Sequence, residues 1–125
     1  YQLPPFTQSK LVRVLKGKIL DVVVDIRKGS PAYGKVFTQK LSAKNKKQLF
    51  IPPGFAHGFS VLSEKAEVLY KCDSFYKKES EAGIIYNDAE LSIDWQIPFE
   101  NAIVSEKDLI LPSLAQCNNS FVFES

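Results

Sequence analysis

The feature that most constrains this chain is the way its apolar residues are distributed. They come in short runs broken by glycine, proline or polar clusters, with hardly any recurrence at the spacing of a helix face. KLVRVLKGKILDVVVDIRKG opens the pattern. Leu11, Val12, Val14 and Leu15 form one β-rich run, and Ile19, Leu20, Val22, Val23, Val24 and Ile26 form the next. The Lys16-Gly17-Lys18 break predicts a hairpin turn between them. Gly29-Ser30-Pro31 closes the second run, and Lys35 to Leu41 alternates as a half-exposed strand. Residues 1 to 9, with Pro4-Pro5, read as turn.

The stretch LFIPPGFAHGFSVL, Leu49 to Leu62, reads as two short strands joined by a tight turn. Its prolines cannot donate to a sheet ladder, and Gly54 can take a backbone angle that other residues resist. It holds the only histidine, His57, where a buried strand begins. After a Ser63-Glu64-Lys65 turn, Ala66 to Cys72 alternates as a partner strand for this pair. Ala66, Val68 and Tyr70 share one of its faces.

The chain from Asp73 to Asn87 is polar and loop-rich. Leu91, Ile93 and Trp95 alternate as a late short strand that Pro98 ends, and Ser105 to Asp108 reads as a helix start or turn. The tail NNSFVFES adds an edge strand or frays. Such a series of strands predicts an all-β sandwich or small barrel with little helix. With no repeat or linker, residues 1–125 are read as a single domain.

Hydrophobic residues at 45% and charged residues at 24% are globular proportions. A net charge of +2 without a basic block argues against a nucleic-acid partner, and the lysines of Lys44 to Lys47 read as a solvated turn. No apolar run has the length of a membrane span and no signal peptide is visible, which points to the cytoplasm. Cys72 and Cys117 have no motif spacing and read as buried or stray thiols, a disulfide being the less simple alternative. The chain has no methionine, so it reads as processed or as a fragment. Most of Phe37, Phe50, Phe55, Phe59, Phe75, Tyr76 and Trp95 are expected in the core, with one or two free to stack on a base.

Several segments together carry a family resemblance. Pro52 to His57 fits Pro-x-Gly-x-x-His, a cupin motif, and the wider text is more specific. QSKLVRVLKGKILDVVVDIRKGSPAYGK, LSAKNKKQLFIPPGFAHGFSVLSEKAEVLYK, and IDW followed by SEKD resemble the dTDP-4-dehydrorhamnose 3,5-epimerases from Tyr1 to Asp108. The resemblance implies a cupin-type jelly roll that works without cofactor or metal as a homodimer on a dTDP-sugar. The reaction it implies is epimerisation at C3 and C5 of dTDP-4-dehydro-6-deoxy-D-glucose, giving dTDP-4-dehydro-L-rhamnose, by proton abstraction beside the C4 ketone and reprotonation of the enolate.

Carried over residue by residue, the resemblance implies Tyr70 as the acid and Lys10 as the group that stabilises the enolate oxygen. Asp108 is implied as the partner of the base histidine. His57, Lys107 and Glu81 are implied as contacts to the substrate. In this family the base histidine precedes the residue that matches Tyr1, so the chain reads as the C-terminal part of a longer one. The alternative is an inactive sugar-nucleotide-binding cupin that lacks the base.

Each of these residues also has a structural explanation. A lysine opening an apolar strand can snorkel at the surface, and a tyrosine beside Ala66 and Val68 can sit in a core with its hydroxyl on backbone. A lone histidine is often structural. Ser105 followed by Asp108 is what a helix cap needs. A metal-dependent cupin would need a His-x-His pair and a glutamate, against the single histidine here.

Overall fold

A computed structural model describes residues 1–98 and 102–124. Six strands are formed: β1 (Lys10–Lys16), β2 (Lys18–Asp25), β3 (Val36–Ser42), β4 (Gln48–Ile51), β5 (Phe55–Val61) and β6 (Glu67–Cys72). They make two antiparallel sheets, ordered β4-β1-β6 and β3-β2-β5. A single turn of 3-10 helix at Lys78–Ser80 and a short α1 (Glu106–Leu109) are the helical elements among the described residues. The arrangement is an all-β sandwich, as the strand pattern predicts, and it fits the cupin-type jelly roll that the resemblance implies.

Residues directly opposite each other in an antiparallel pair share a face. In the first sheet, Val12 stands opposite Leu49 and Tyr70, and Lys10 opposite Ile51 and Cys72. In the second, Ile19 faces Leu41 and Val61, Asp21 faces Gln39 and Phe59, and Val23 faces Phe37 and His57. Val12, Val14, Ile19, Val23, Leu41 and Ile51 meet in one buried cluster, so the two sheets pack on each other through these faces. Each such aliphatic side chain contributes about 1.5–3 kcal/mol relative to an exposed one. The other face of the second sheet is covered by later chain. Val24 and Ile26 pack there with Leu91 and Leu114.

The expected hairpin between the first two strands does not form. β1 and β2 lie in different sheets, and Gly17 turns the corner between them at φ +78°. A Cβ at Gly17 would stand 2.1 Å from the carbonyl oxygen of Lys65. The Lys18 amide donates to Ser63 Oγ and the Leu62 amide to the Lys18 carbonyl, so β2 starts bonded toward β5 rather than β1. For the same reason β6 is not the partner of β5; it pairs with β1. The Pro52-Pro53-Gly54 turn likewise carries the chain from one sheet to the other.

No strand forms at Leu91 to Trp95. The segment is bound without a ladder: the Ser92 amide donates to the Asp88 carbonyl, the Trp95 indole N–H to the Tyr86 carbonyl, and the Ser60 hydroxyl of β5 to the Trp95 carbonyl. Among its described residues the tail forms no strand and pairs through an isolated bridge, Lys28 with Val122. Ser105 occupies the position before α1 without a side-chain cap, while its carbonyl accepts from the Asp108 and Leu109 amides. Both cysteines are free thiols, Cys72 exposed and Cys117 half-buried.

Of the aromatic residues expected in the core, only Phe55 packs against the buried cluster between the sheets. Phe37, Phe50, Phe59, Phe75 and Tyr76 are exposed, and Phe55 and Trp95 are half-buried. The branched aliphatics of β1 and β2 already fill the space between the sheets. Among the described residues no helix is long and apolar enough to cross a membrane.

Candidate functional site

A cavity of about 1250 Å³ opens beside the edge strand β5. Its walls include Lys10, His57, Tyr70, Glu81, Lys107 and Asp108, so all six residues implied by the resemblance border one space. Two neighbouring strands bring the first pair together. Tyr70 stands opposite Val12, and Lys10 lies two residues before Val12 on the same face. The core explanation for Tyr70 fails. It is 58% exposed, and its hydroxyl has no hydrogen-bond partner among the described residues. Lys10 is half-buried and also borders, with His57, Gly54 and Phe55, a smaller recess next to the main cavity.

His57 has a partner that sequence reasoning missed. Its Nε2 lies 2.5 Å from Asp21 Oδ1, the imidazole side chain 11% exposed and the aspartate 0%. Asp21 stands opposite Phe59 and Val23 opposite His57, which puts both on the inner face of adjacent strands. The signal for Asp21 was present, as a carboxylate inside the apolar run ILDVVVDI that nothing in the run can satisfy. A carboxylate at Nε2 holds that nitrogen protonated and fixes the ring. Nδ1 is left without a hydrogen bond among the described residues. The other oxygen of Asp21 is buried and has no partner among them either.

Glu81 and Lys107 bind each other, Nζ to Oε1 at 2.8 Å, and the Tyr76 hydroxyl donates to Glu81 Oε2 at 2.6 Å. Lys107, then Tyr76, hold the Glu81 carboxyl below its usual range, while Glu81 raises the Lys107 ammonium. Glu81, from the segment after β6, and Lys107, from α1, form one polar rim of the cavity. Asp108, also on α1, is half-buried, and its carboxylate makes no hydrogen bond or ion pair with another described residue. Among the described residues no three of His, Cys, Asp and Glu are grouped to hold a metal ion.

Chemically, the cavity offers an ammonium, a phenol and an oriented imidazole on one side, and a carboxylate with an ion pair on the other. This set can stabilise an oxyanion and exchange protons with a carbon acid.

Comparison with known proteins puts these features in a lineage. The family model for dTDP-4-dehydrorhamnose 3,5-epimerase matches residues 1–116. The chain is 52% identical over 109 residues to the enzyme of that name from Shigella flexneri, covering 87% of this chain and 59% of the relative. Against the Pseudomonas aeruginosa protein it is 54% identical over 102 residues, covering 81% and 55%. It thus spans less than two thirds of the length of these curated relatives.

Among solved structures, the dTDP-6-deoxy-D-glucose-3,5-epimerase of Legionella pneumophila in complex with dTDP-4-keto-L-rhamnose superposes with a TM-score of 0.94. Identity is 44%, with 100% of this chain and 66% of that one covered. The Elizabethkingia anophelis epimerase gives 0.87 at 52% identity, covering 90% and 61%. With that match in sequence and in backbone, the chain belongs to the dTDP-4-dehydrorhamnose 3,5-epimerase family.

Proposed function

We propose that the protein epimerises C3 and C5 of dTDP-4-dehydro-6-deoxy-D-glucose to give dTDP-4-dehydro-L-rhamnose, a cytoplasmic step of dTDP-rhamnose formation. The observation that carries this reading is the joint placement of Lys10, Tyr70 and His57 on one cavity wall. Hydrogens at C3 and C5 are acidic because the C4 ketone takes up the charge left by either proton. The Lys10 ammonium, half-buried, stabilises the enolate oxygen more strongly than it would in water. Tyr70, its hydroxyl uncommitted, returns a proton to the carbon. His57, fixed by Asp21, contacts the sugar through Nδ1, the nitrogen that Asp21 does not occupy.

Asp108 orients the base histidine that the family resemblance implies upstream of Tyr1. Such a carboxylate fixes the tautomer of its partner and stabilises the charged ring. Lys107 and Glu81 hold the nucleotide-sugar at the rim, with their mutual ion pair setting the ammonium in place. An inactive binding module finds no support among the relatives, which are named as epimerases. We read the chain as one cupin unit, the C-terminal part of a longer family polypeptide.

A second copy of the chain is the partner we propose for the outer face of the first sheet. Leu15, Phe50 and Leu69 stand there 48%, 62% and 40% exposed. An apolar sheet face of this kind marks an association surface. Light scattering reads the mass directly, and a monomer at all concentrations contradicts the homodimer.

The test of the activity is solvent deuterium exchange in the full-length protein, followed by NMR of the dTDP-sugar. Deuterium at both C3 and C5 is expected, and no exchange at either carbon contradicts the proposal.

A further inference from the structure

His57 sits on a strand that is held along one side only. β5 is the edge of its sheet, bonded to β2, and its other side borders the cavity. The ladder to β2 aligns β5 from one side, and at its entry several contacts converge on one side chain.

Arg27 lies between two aromatic rings. Its guanidinium carbon is 4.7 Å from the centroid of Phe55, the first residue of β5, and 4.9 Å from that of Phe123 in the tail. Its Nε donates to Asp25 Oδ1 at 3.0 Å and its Nη2 to Asp25 Oδ2 at 2.8 Å, a bidentate pair. The Ser30 hydroxyl adds a third side-chain donor to Asp25 at 2.6 Å. Asp25 stands opposite Phe55 in the sheet.

The stem of the same arginine fills the space over Gly54. That glycine has φ +94°, and a Cβ there would meet Arg27 Cγ at 2.6 Å. The Ile26 amide donates to the Gly54 carbonyl. On the far side, Lys28 exchanges backbone bonds with Phe121 and Phe123. Turn, strand entry and tail are thus gathered on one planar cation. Cation–aromatic contacts and bidentate ion pairs both restrict its orientation more than apolar packing would.

We infer that Arg27 is a positioning residue for His57: clamped between Phe55 and Phe123 and held by Asp25, it sets the start of β5 so that the imidazole two residues on meets Asp21. The role acts through Phe55, and Arg27 is absent from the cavity wall. A displacement of about 1 Å relayed along the strand takes the ring out of hydrogen-bond range of the carboxylate. The importance of this aim for substrate rests on the epimerase reading above. The aim itself does not.

Because His57 is the only histidine, its ring nitrogens can be read without ambiguity in ¹⁵N-labelled full-length protein when any histidine upstream is replaced. Ligand-free wild type is expected to show a single tautomer with a slowly exchanging Nε2 proton. Arg27→Met is expected to lose that proton signal, or to show both tautomers, while remaining folded. Val14→Ala, in the core between the sheets and away from the β5 entry, serves as a control that lowers the melting temperature and keeps the signature.

An unchanged signature in Arg27→Met, or an equal change in Val14→Ala, overturns the inference. Should Arg27→Met fail to fold, Phe123→Leu takes its place, expected to speed exchange of the Nε2 proton, and an unaltered rate overturns it. No sugar nucleotide is present in these measurements. A protein that passes them and fails the deuterium assay loses the proposed activity and keeps the inference.

Discussion

Asp21 and Asp25 lie four residues apart on the same strand and the same face, both buried, yet they are treated differently. Asp25 accepts from the Arg27 amide, Nε and Nη2 and from Ser30 Oγ, so both its oxygens are occupied. Asp21 has one partner, His57, and a second oxygen with none among the described residues. A buried carboxylate is tolerable when its hydrogen bonds are complete and costly when they are not. Asp25 therefore reads as a carboxylate that serves the fold. Asp21 reads as one kept, at some expense in stability, for what it does to an imidazole on the cavity wall.

The widest separation of the two is expected from Asp21→Asn. The amide offers a donor where the imidazole also donates, so the tautomer is disturbed, and exchange at C3 and C5 should fall about 10²–10⁴-fold. Stability should move by no more than about 1 kcal/mol, because the lost carboxylate was poorly satisfied. Urea denaturation and the NMR exchange rate read the two effects side by side. A large loss of stability with exchange intact would erase the distinction.

Asp25→Asn should behave in the opposite sense. It leaves a partly buried guanidinium without its ion pair and should cost about 3 kcal/mol in the same denaturation experiment. A loss below about 1 kcal/mol would mean the clasp is ornamental.

Acid sharpens the contrast further. The Arg27 side chain, then the Ser30 hydroxyl, hold the Asp25 carboxyl down at about 2 against burial. Its folded value lies below its unfolded one, so its contribution is fully present above about 4 and is lost as pH falls through about 2. That contribution is about 2 kcal/mol, and it should vanish from the pH–stability profile in Asp25→Asn.

The smallest effect belongs to the double replacement Asp21→Leu with His57→Leu. Removing both members of an incomplete buried pair should leave stability within about 1 kcal/mol of wild type. Asp25→Leu with Arg27→Leu should not be so mild, since Gly54, Phe55 and Phe123 are all packed on the arginine. Equal losses in the two doubles would contradict the division of labour.

Strand positions were legible because alternation is a local property. The runs from Leu11, Ile19, Lys35, Leu49 and Ala66 each became a strand, and Tyr70 took the face of Val68 that its spacing implied. Pairing was not legible. Lys16-Gly17-Lys18 has the composition of a hairpin turn, and a glycine at positive φ serves equally well at a corner between sheets. What decides is where the Lys18 amide finds its acceptor, and that acceptor is Ser63, far away in sequence.

Leu91, Ile93 and Trp95 alternate like a strand, but the Leu91 and Ser92 amides are taken by Asp88, the Trp95 indole by the Tyr86 carbonyl, and no ladder forms. In the candidate site, all six residues that the resemblance supplied border the cavity. Asp21, the one carboxylate bonded to the histidine, was hidden inside an apolar run.

The most direct test of the account is a crystal structure of the full-length protein with the dTDP-4-keto sugar bound. The account predicts the C4 oxygen about 3 Å from Lys10 Nζ, with the Tyr70 hydroxyl and the His57 ring against the same pyranose. A sugar ring bound elsewhere, with Lys10 and Tyr70 facing solvent, would contradict it.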